Sequence, residues 1–208
     1  ICDNGACVMY PHEAPLLHSL PKDVIHRILD ACRSLSAGVP VLCGFHHIYY
    51  PENDNAAMQH EIQRYYRNPQ VVPYDDLYAV DEPILKVALC DTNGPTKEAY
   101  PVMHEALGDA YELLISGDCW MDIMCKGVTK GAALQGLQER MGITPAETMA
   151  FGDYDNDISM LQHAEFSYAM ENASERVRQQ AKHIAPANTQ NGVVRVLCET
   201  LGIHMESL

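Results

Sequence analysis

"FGDYDNDISML", residues 151 to 161, sets Asp153, Asp155 and Asp157 within five positions, behind Gly152 and ahead of an apolar run. Like charges that close together repel, so something must offset them. Helix capping accounts for one or two of them, since acids at an N-cap or in a first turn gain about 0.3–1 kcal/mol each from the helix dipole. It accounts for neither a third acid nor the glycine. An EF-hand calcium loop shares the D-x-D-x-D opening but needs Gly at its sixth position and Glu at its twelfth. Ile158 and Ala164 stand there, which excludes it. A divalent-cation site for phosphoryl chemistry would hold clustered carboxylates together. Spacing alone leaves capping and cation binding both open.

Outward from this stretch the chain keeps a regular rhythm. ETMAF (147–151) reads as a strand, ISMLQHA (158–164) as a helix and FSYAM (166–170) as a second strand. SERVRQQAKHIA (174–185) reads as a helix turning Val177, Ala181 and Ile184 inward, and GVVRVLCETLG (192–202) as a closing helix. Upstream, Ala133, Leu134, Leu137 and Met141 fall on one face of a helix over Lys130–Met141. Strands alternating with helices predict a parallel sheet covered on both faces. Asp153 then falls two residues past a strand, at the carboxyl edge where such sheets bind ligands.

The middle of the chain has a different character. A helix from Pro21 buries Val24, Ile25, Ile28, Leu29, Cys32 and Leu35, with Gly38 at its C-cap. VPVLCGF (39–45) reads as a strand, NAAMQHEIQRYY (55–66) as a helix and ILKVALC (84–90) as an apolar run ended by a turn. TKEAYPVMHEAL (96–107) reads as a helix whose first turn must hold Pro101. YELLISG and CWMDIM follow as strands, and the opening ICDNGACVMY reads as a strand broken by a turn at Asn4-Gly5. The contrast predicts two domains in an α/β chain, the middle one an insertion.

Composition narrows the function classes. The chain has 208 residues and a formal charge of −14, which argues against a nucleic-acid partner needing clustered Lys and Arg. Nothing approaches the roughly 20 apolar residues that span a bilayer, so no membrane partner is expected. The eight cysteines form no C-x-x-C pair and read as free cytosolic thiols. His46-His47, if on a strand, point to opposite faces and do not chelate together, leaving a substrate contact open. Trp120 reads as packing.

In "GVTKGAALQGL" Thr129 looks like an N-cap, which puts Lys130 in the first helical turn. A cation there opposes the dipole. Alone it reads as a solvated surface lysine. Joined to an acidic cluster one strand later, it reads as a group facing a phosphate together with the helix amides.

"GVTKGAAL", "FGDYDNDISML" and "ENASERVRQQAKHIAPANTQNGVVRVL", with the opening "DNGA", resemble the haloacid dehalogenase superfamily and most closely its Cof-type phosphatases with a large α/β cap. The resemblance implies a Rossmann-like parallel-sheet core, residues 1–20 and 127–208, with an inserted α/β cap domain, residues 21–126, that chooses the substrate. It implies Mg²⁺-dependent hydrolysis of a small, sugar-phosphate-like metabolite through an aspartyl-phosphate, in the cytoplasm. Lys130 looks like the lysine that neutralises the phosphoryl oxygens, Asp153 like the carboxylate that reaches Mg²⁺, and Asn156 like the asparagine that touches the phosphate. Asp157 looks like an acid that orients the metal waters or the lysine, and Asp155 is expected only to cap.

The family's nucleophile lies in a D-x-D-G-T signature, and none occurs in these 208 residues. The expectation is that the attacking aspartate and the first strands lie upstream of Ile1. The chain by itself is then expected to be inactive, with an exposed sheet edge that invites self-association. The alternative is a non-catalytic module of the same fold that keeps the acidic loop for a cation or a partner.

Overall fold

The computed structural model describes residues 1–94 and 97–203, and these form two compact units, Ile1–Val128 and Thr129–Leu208. Thr96, where the middle helix was expected to begin, lies outside the described residues.

The first unit holds β1 (Cys7–Val8), β2 (Leu16–Leu17), α1 (Lys22–Cys32), β3 (Val39–Gly44), β4 (Ile48–Pro51), α2 (Ala56–Tyr65), β5 (Gln70–Val72), β6 (Ile84–Cys90), α3 (Ala99–Leu107), β7 (Tyr111–Ile115) and β8 (Trp120–Cys125). Six of these strands form one sheet in the order β5-β4-β3-β6-β8-β7. All its pairings are antiparallel except β4 with β5. Period-2 alternation sorts the side chains. Leu42, Val87, Leu89, Met121 and Ile123 pack with Ile28 and Leu29 of α1 and Met103 of α3. Val41, Cys43, Ala88, Cys90 and Trp120 pack with Met58 and Ile62 of α2. Pro101 sits in the first turn of α3, where its missing N–H costs little. α1 ends at Cys32 rather than at a Gly38 cap, because Ser34 and Leu35 leave the helix in tight turns.

Residues 1–20 pack within this unit. Asp3–Gly5 is a tight turn and not strand, with φ of 45° at Asp3, 55° at Asn4 and 104° at Gly5. Asn4 Nδ2 donates to Asp122 Oδ2 at 2.6 Å, and Lys86 Nζ lies 3.2 Å from the same carboxylate oxygen and 3.9 Å from Asp3 Oδ1. These polar contacts fasten a left-handed turn that non-glycine residues adopt only at a cost.

The second unit holds α4 (Lys130–Met141), β9 (Met149–Gly152), α5 (Ile158–Gln162), β10 (Phe166–Met170), α6 (Glu175–Arg178), β11 (His183–Ala185) and α7 (Gly192–Leu201). The strands form a parallel sheet in the order β11-β10-β9. Ala150 and Ala169 pack on Leu161 of α5 and Val177 of α6, while Met149, Phe151, Tyr168 and Met170 pack with Val193 and Val196 of α7. The sheet is thus covered on both faces, as the alternating pattern predicts.

Two expectations in this unit are corrected. The helix read over 174–185 stops at Arg178, and Ile184, expected inward, is 51% exposed. His183–Ala185 instead pairs with β10, and Lys182 N donates to Ser167 Oγ at 3.1 Å. Sheet hydrogen bonding overrides a helical period here. In α4 the buried residues are Gly131 and Gln138, and Met141 is 61% exposed. Gln138 Nε2 donates to Thr148 Oγ1 and to the His163 carbonyl. A Cβ on Gly131 would stand 2.4 Å from the Ser159 carbonyl oxygen, so the backbone of α4 lies directly against α5.

Candidate active site

The three aspartates of 151–161 face three different situations. β9 ends at Gly152, where a Cβ would stand 2.4 Å from Asp157 Cβ. Only glycine lets the strand end against that side chain, which answers why it precedes the acids. Asp157 is buried, and its two oxygens are used separately. Oδ1 accepts from Lys130 Nζ at 2.5 Å, and Oδ2 accepts from the backbone N–H of Asp153 at 3.0 Å and of Tyr154 at 3.2 Å. A carboxylate taken from water needs such partners.

Lys130 comes to this place by capping. Thr129 Oγ1 accepts from Ala132 N at 3.1 Å, so the lysine occupies the first turn of α4, as its sequence context predicts. Ser159 Oγ accepts from Gly131 N at 3.1 Å and ties the start of α4 to α5. Asp155 pairs with Arg176 at 2.9 Å. Among the described residues, no group hydrogen-bonds or ion-pairs with the Asp153 carboxylate, which stands half-buried at the carboxyl end of β9. Asn156 is half-buried in the same turn. Charge repulsion is therefore relieved by two cations and two amides, with one acid left over.

That remaining acid is a hard oxygen donor. Mg²⁺ binds through one or two protein carboxylates plus waters and substrate oxygens rather than in an all-protein cage. Among the described residues no three His, Cys, Asp or Glu side chains gather into such a cage. The donor set thus fits an ion shared with a substrate.

The structure brings Lys130, Asp157 and the Asp153 backbone together. The sequence did not reveal that Asp157 holds the loop through two amides, or that Ser159 and Arg176 support it. Spacing carries no sign of either, since both depend on which loop atoms face each other. His46 and His47 lie in the turn after β3, not on a strand, and both are exposed. Glu82 accepts from both of their amides, from His47 Nδ1 and from the Tyr49 hydroxyl.

The model of the haloacid dehalogenase-like hydrolase family matches residues 1–197. The chain belongs to that family. It is 29% identical over 201 residues to a 5-amino-6-(5-phospho-D-ribitylamino)uracil phosphatase of Escherichia coli strain K12, covering 97% of this chain and 73% of the relative. A phosphatase of the same name from Bacillus subtilis strain 168 is 27% identical over 206 residues, with 94% of this chain and 73% of the relative covered. Among solved structures, a protein of Streptococcus mutans UA159 matches with a TM-score of 0.83 at 26% identity, covering 96% of this chain and 75% of that one. A Thermotoga maritima protein matches with a TM-score of 0.75 at 29% identity, covering 93% and 72%. As the sequence motifs imply, this haloacid dehalogenase-like chain is a phosphoric monoester hydrolase of the Cof type. Among the described residues no helix is long and apolar enough to cross a membrane.

Proposed function

We propose that the chain serves a Mg²⁺-dependent phosphatase acting on a small, sugar-phosphate-like metabolite. The observation that carries this reading is an Asp153 carboxylate with no hydrogen-bond or ion-pair partner among the described residues, in the loop whose Asp157 also fixes Lys130. Relatives whose named substrate is a phosphorylated ribityl compound support the substrate class.

In this reading Lys130 presents its ammonium to the phosphoryl oxygens while Asp157 holds it in place. Asn156 contacts the phosphate, and the first-turn amides of α4 face the same anion. Asp153 would hold Mg²⁺, which when bound neutralises charge on the phosphate. The attacking aspartate, which forms an aspartyl-phosphate, comes from outside these residues, as no D-x-D-G-T occurs in them. Residues 21–126 form the substrate-choosing cap, and 1–20 with 127–208 the hydrolase core; the "DNGA" turn supports the second assignment by pattern. A cytoplasmic setting accords with eight free thiols.

The test is phosphate release from a panel of phosphate esters with Mg²⁺, comparing residues 1–208 with the product of the gene's complete reading frame. Turnover by the longer protein, lost in Lys130→Ala and Asp153→Asn, is the expected result. Turnover of p-nitrophenyl phosphate by residues 1–208 alone would show that the attacking group lies within them. A complete reading frame without D-x-D-G-T would favour the cation- or partner-binding module.

A further inference from the structure

The first unit contains a cavity of about 500 Å³ where α2 runs into the edge strand β5. Tyr50, Gln63, Tyr66, Arg67, Asn68 and Pro69 line it. That volume suits one small molecule. The lining holds one cation and no carboxylate, which is unusual in a chain carrying −14.

Among the described residues no acid neutralises Arg67. Arg33 pairs with Asp75, and Arg64 pairs with Glu61, but no acidic side chain among the described residues pairs with Arg67. The amide side chains of Gln63 and Asn68 likewise have no hydrogen-bond partner among the described residues. Asn68 has φ of 49°, a left-handed turn that brings the chain from α2 into β5. A guanidinium fork with two amides nearby suits a planar or tetrahedral anion.

The apolar side of the cavity joins Tyr50 and Tyr66 to Pro69 and Val71. Tyr50 is 2% exposed, and the Tyr66 hydroxyl is taken inward, accepting from Cys43 Sγ at 3.5 Å. What Tyr66 offers the cavity is therefore its ring. That ring stands edge-on to Trp120, with centroids 5.8 Å apart.

We propose that this cavity binds a small aromatic anion, a ring bearing a carboxylate or a phosphate, with the charge on Arg67 and the ring against Tyr66. The site is separate from the Lys130–Asp157 pair and does not depend on the phosphatase reading.

Trp120 is the chain's single tryptophan, so its fluorescence reports on the cavity through Tyr66. The protein is titrated with benzoate and with phenylphosphonate, whose P–C bond resists hydrolysis, and with neutral benzamide. The expected result is a saturable change with one or both anions, the tighter one identifying the anionic group. Arg67→Gln, at an exposed position, should weaken binding by about tenfold. Lys130→Gln, with folding verified by circular dichroism, should bind as the parent does. The proposal is overturned if neither anion saturates at millimolar concentration, if benzamide binds equally well, or if Arg67→Gln binds like the parent. A signal abolished by Lys130→Gln would place the anion at the other site and overturn it too.

Discussion

Lys130 Nζ lies 2.5 Å from Asp157 Oδ1, while Asp157 Oδ2 accepts the amides of Asp153 and Tyr154. One carboxylate thus fixes both the cation and the loop that presents the free acid. The lysine is partly exposed and the aspartate nearly enclosed, with side-chain exposures of 28% and 7%. The pair is asymmetric, and its two halves should fail differently.

Asp157→Ala removes the counter-ion of Lys130 and the acceptor of both loop amides, whereas Lys130→Met removes a single partner. Urea denaturation should show a loss of about 1–3 kcal/mol for Lys130→Met and a larger one for Asp157→Ala. An Asp157→Ala protein as stable as the parent would mean that the loop does not depend on this carboxylate.

Asp153 should behave in the opposite way. With no partner among the described residues to lose, Asp153→Asn should alter stability by no more than about 0.5 kcal/mol. In the protein that turns over phosphate esters, the same change should lower the rate by about 100-fold or more. A marked fall in melting temperature would count against the contrast drawn between these two acids.

Most of the fold was legible in the sequence. Each strand and helix of the second unit appears where it was read, except at 174–185, although α4 buries Gly131 and Gln138 rather than the face its period chose. There Ile184 matched a helical face by spacing alone, and the β10 edge captured the segment as a strand. Lys130 was legible because Thr129 announced the helix start. The hold of Asp157 on the loop amides was not, because it depends on a closeness that only Gly152 permits. The polar group of Lys86, Asp122 and Asn4 was not legible for a related reason, since its members lie far apart along the chain and meet through sheet register and the turn at Asp3–Gly5.

Gly152→Ala and Gly136→Ala form a matched pair. An added Cβ at 152 meets Asp157, while at 136, inside α4, it meets nothing within 4 Å. The first should destabilise by about 1–3 kcal/mol through overpacking. The second should be neutral or stabilising by up to about 1 kcal/mol, as expected for Gly→Ala in a helix. Equal effects in thermal melts would contradict the close approach at 152.

Glu82 gives the first unit an acid-sensitive contact. Burial raises the pKa of its carboxyl, but hydrogen bonds from the His46 amide, the Tyr49 hydroxyl and the His47 ring and amide outweigh burial, and the net shift is downward. A depressed folded-state pKa contributes stability above the unfolded value, near 4.3, that is lost as pH falls through the folded value. Glu82→Gln should flatten the acid limb of a stability–pH profile below that point. An unchanged limb would rule out this source.

Lys86 works at the other end of the scale. Burial lowers the pKa of its ammonium, but Asp122, Cys43 and Asp3 raise it more, for a net upward shift. Its contribution is present below the unfolded value, about 10.4, and is lost as pH rises through the folded one. Lys86→Met would strand Asp122, whose side chain is 3% exposed, and should cost about 3–5 kcal/mol in denaturant titrations. A small effect would indicate that Asn4 alone suffices to hold that carboxylate.

The absence of a side chain at Gly131 has a consequence for how this protein can vary. A side chain at 131 would meet the backbone of residue 159 whatever residue stands there, so filling 131 must push the two helices apart. Lys130 is the next residue along, so its reach shifts with that spacing. Any natural variant that fills position 131 should therefore hold α5 further from α4, or carry its cation on a differently placed helix.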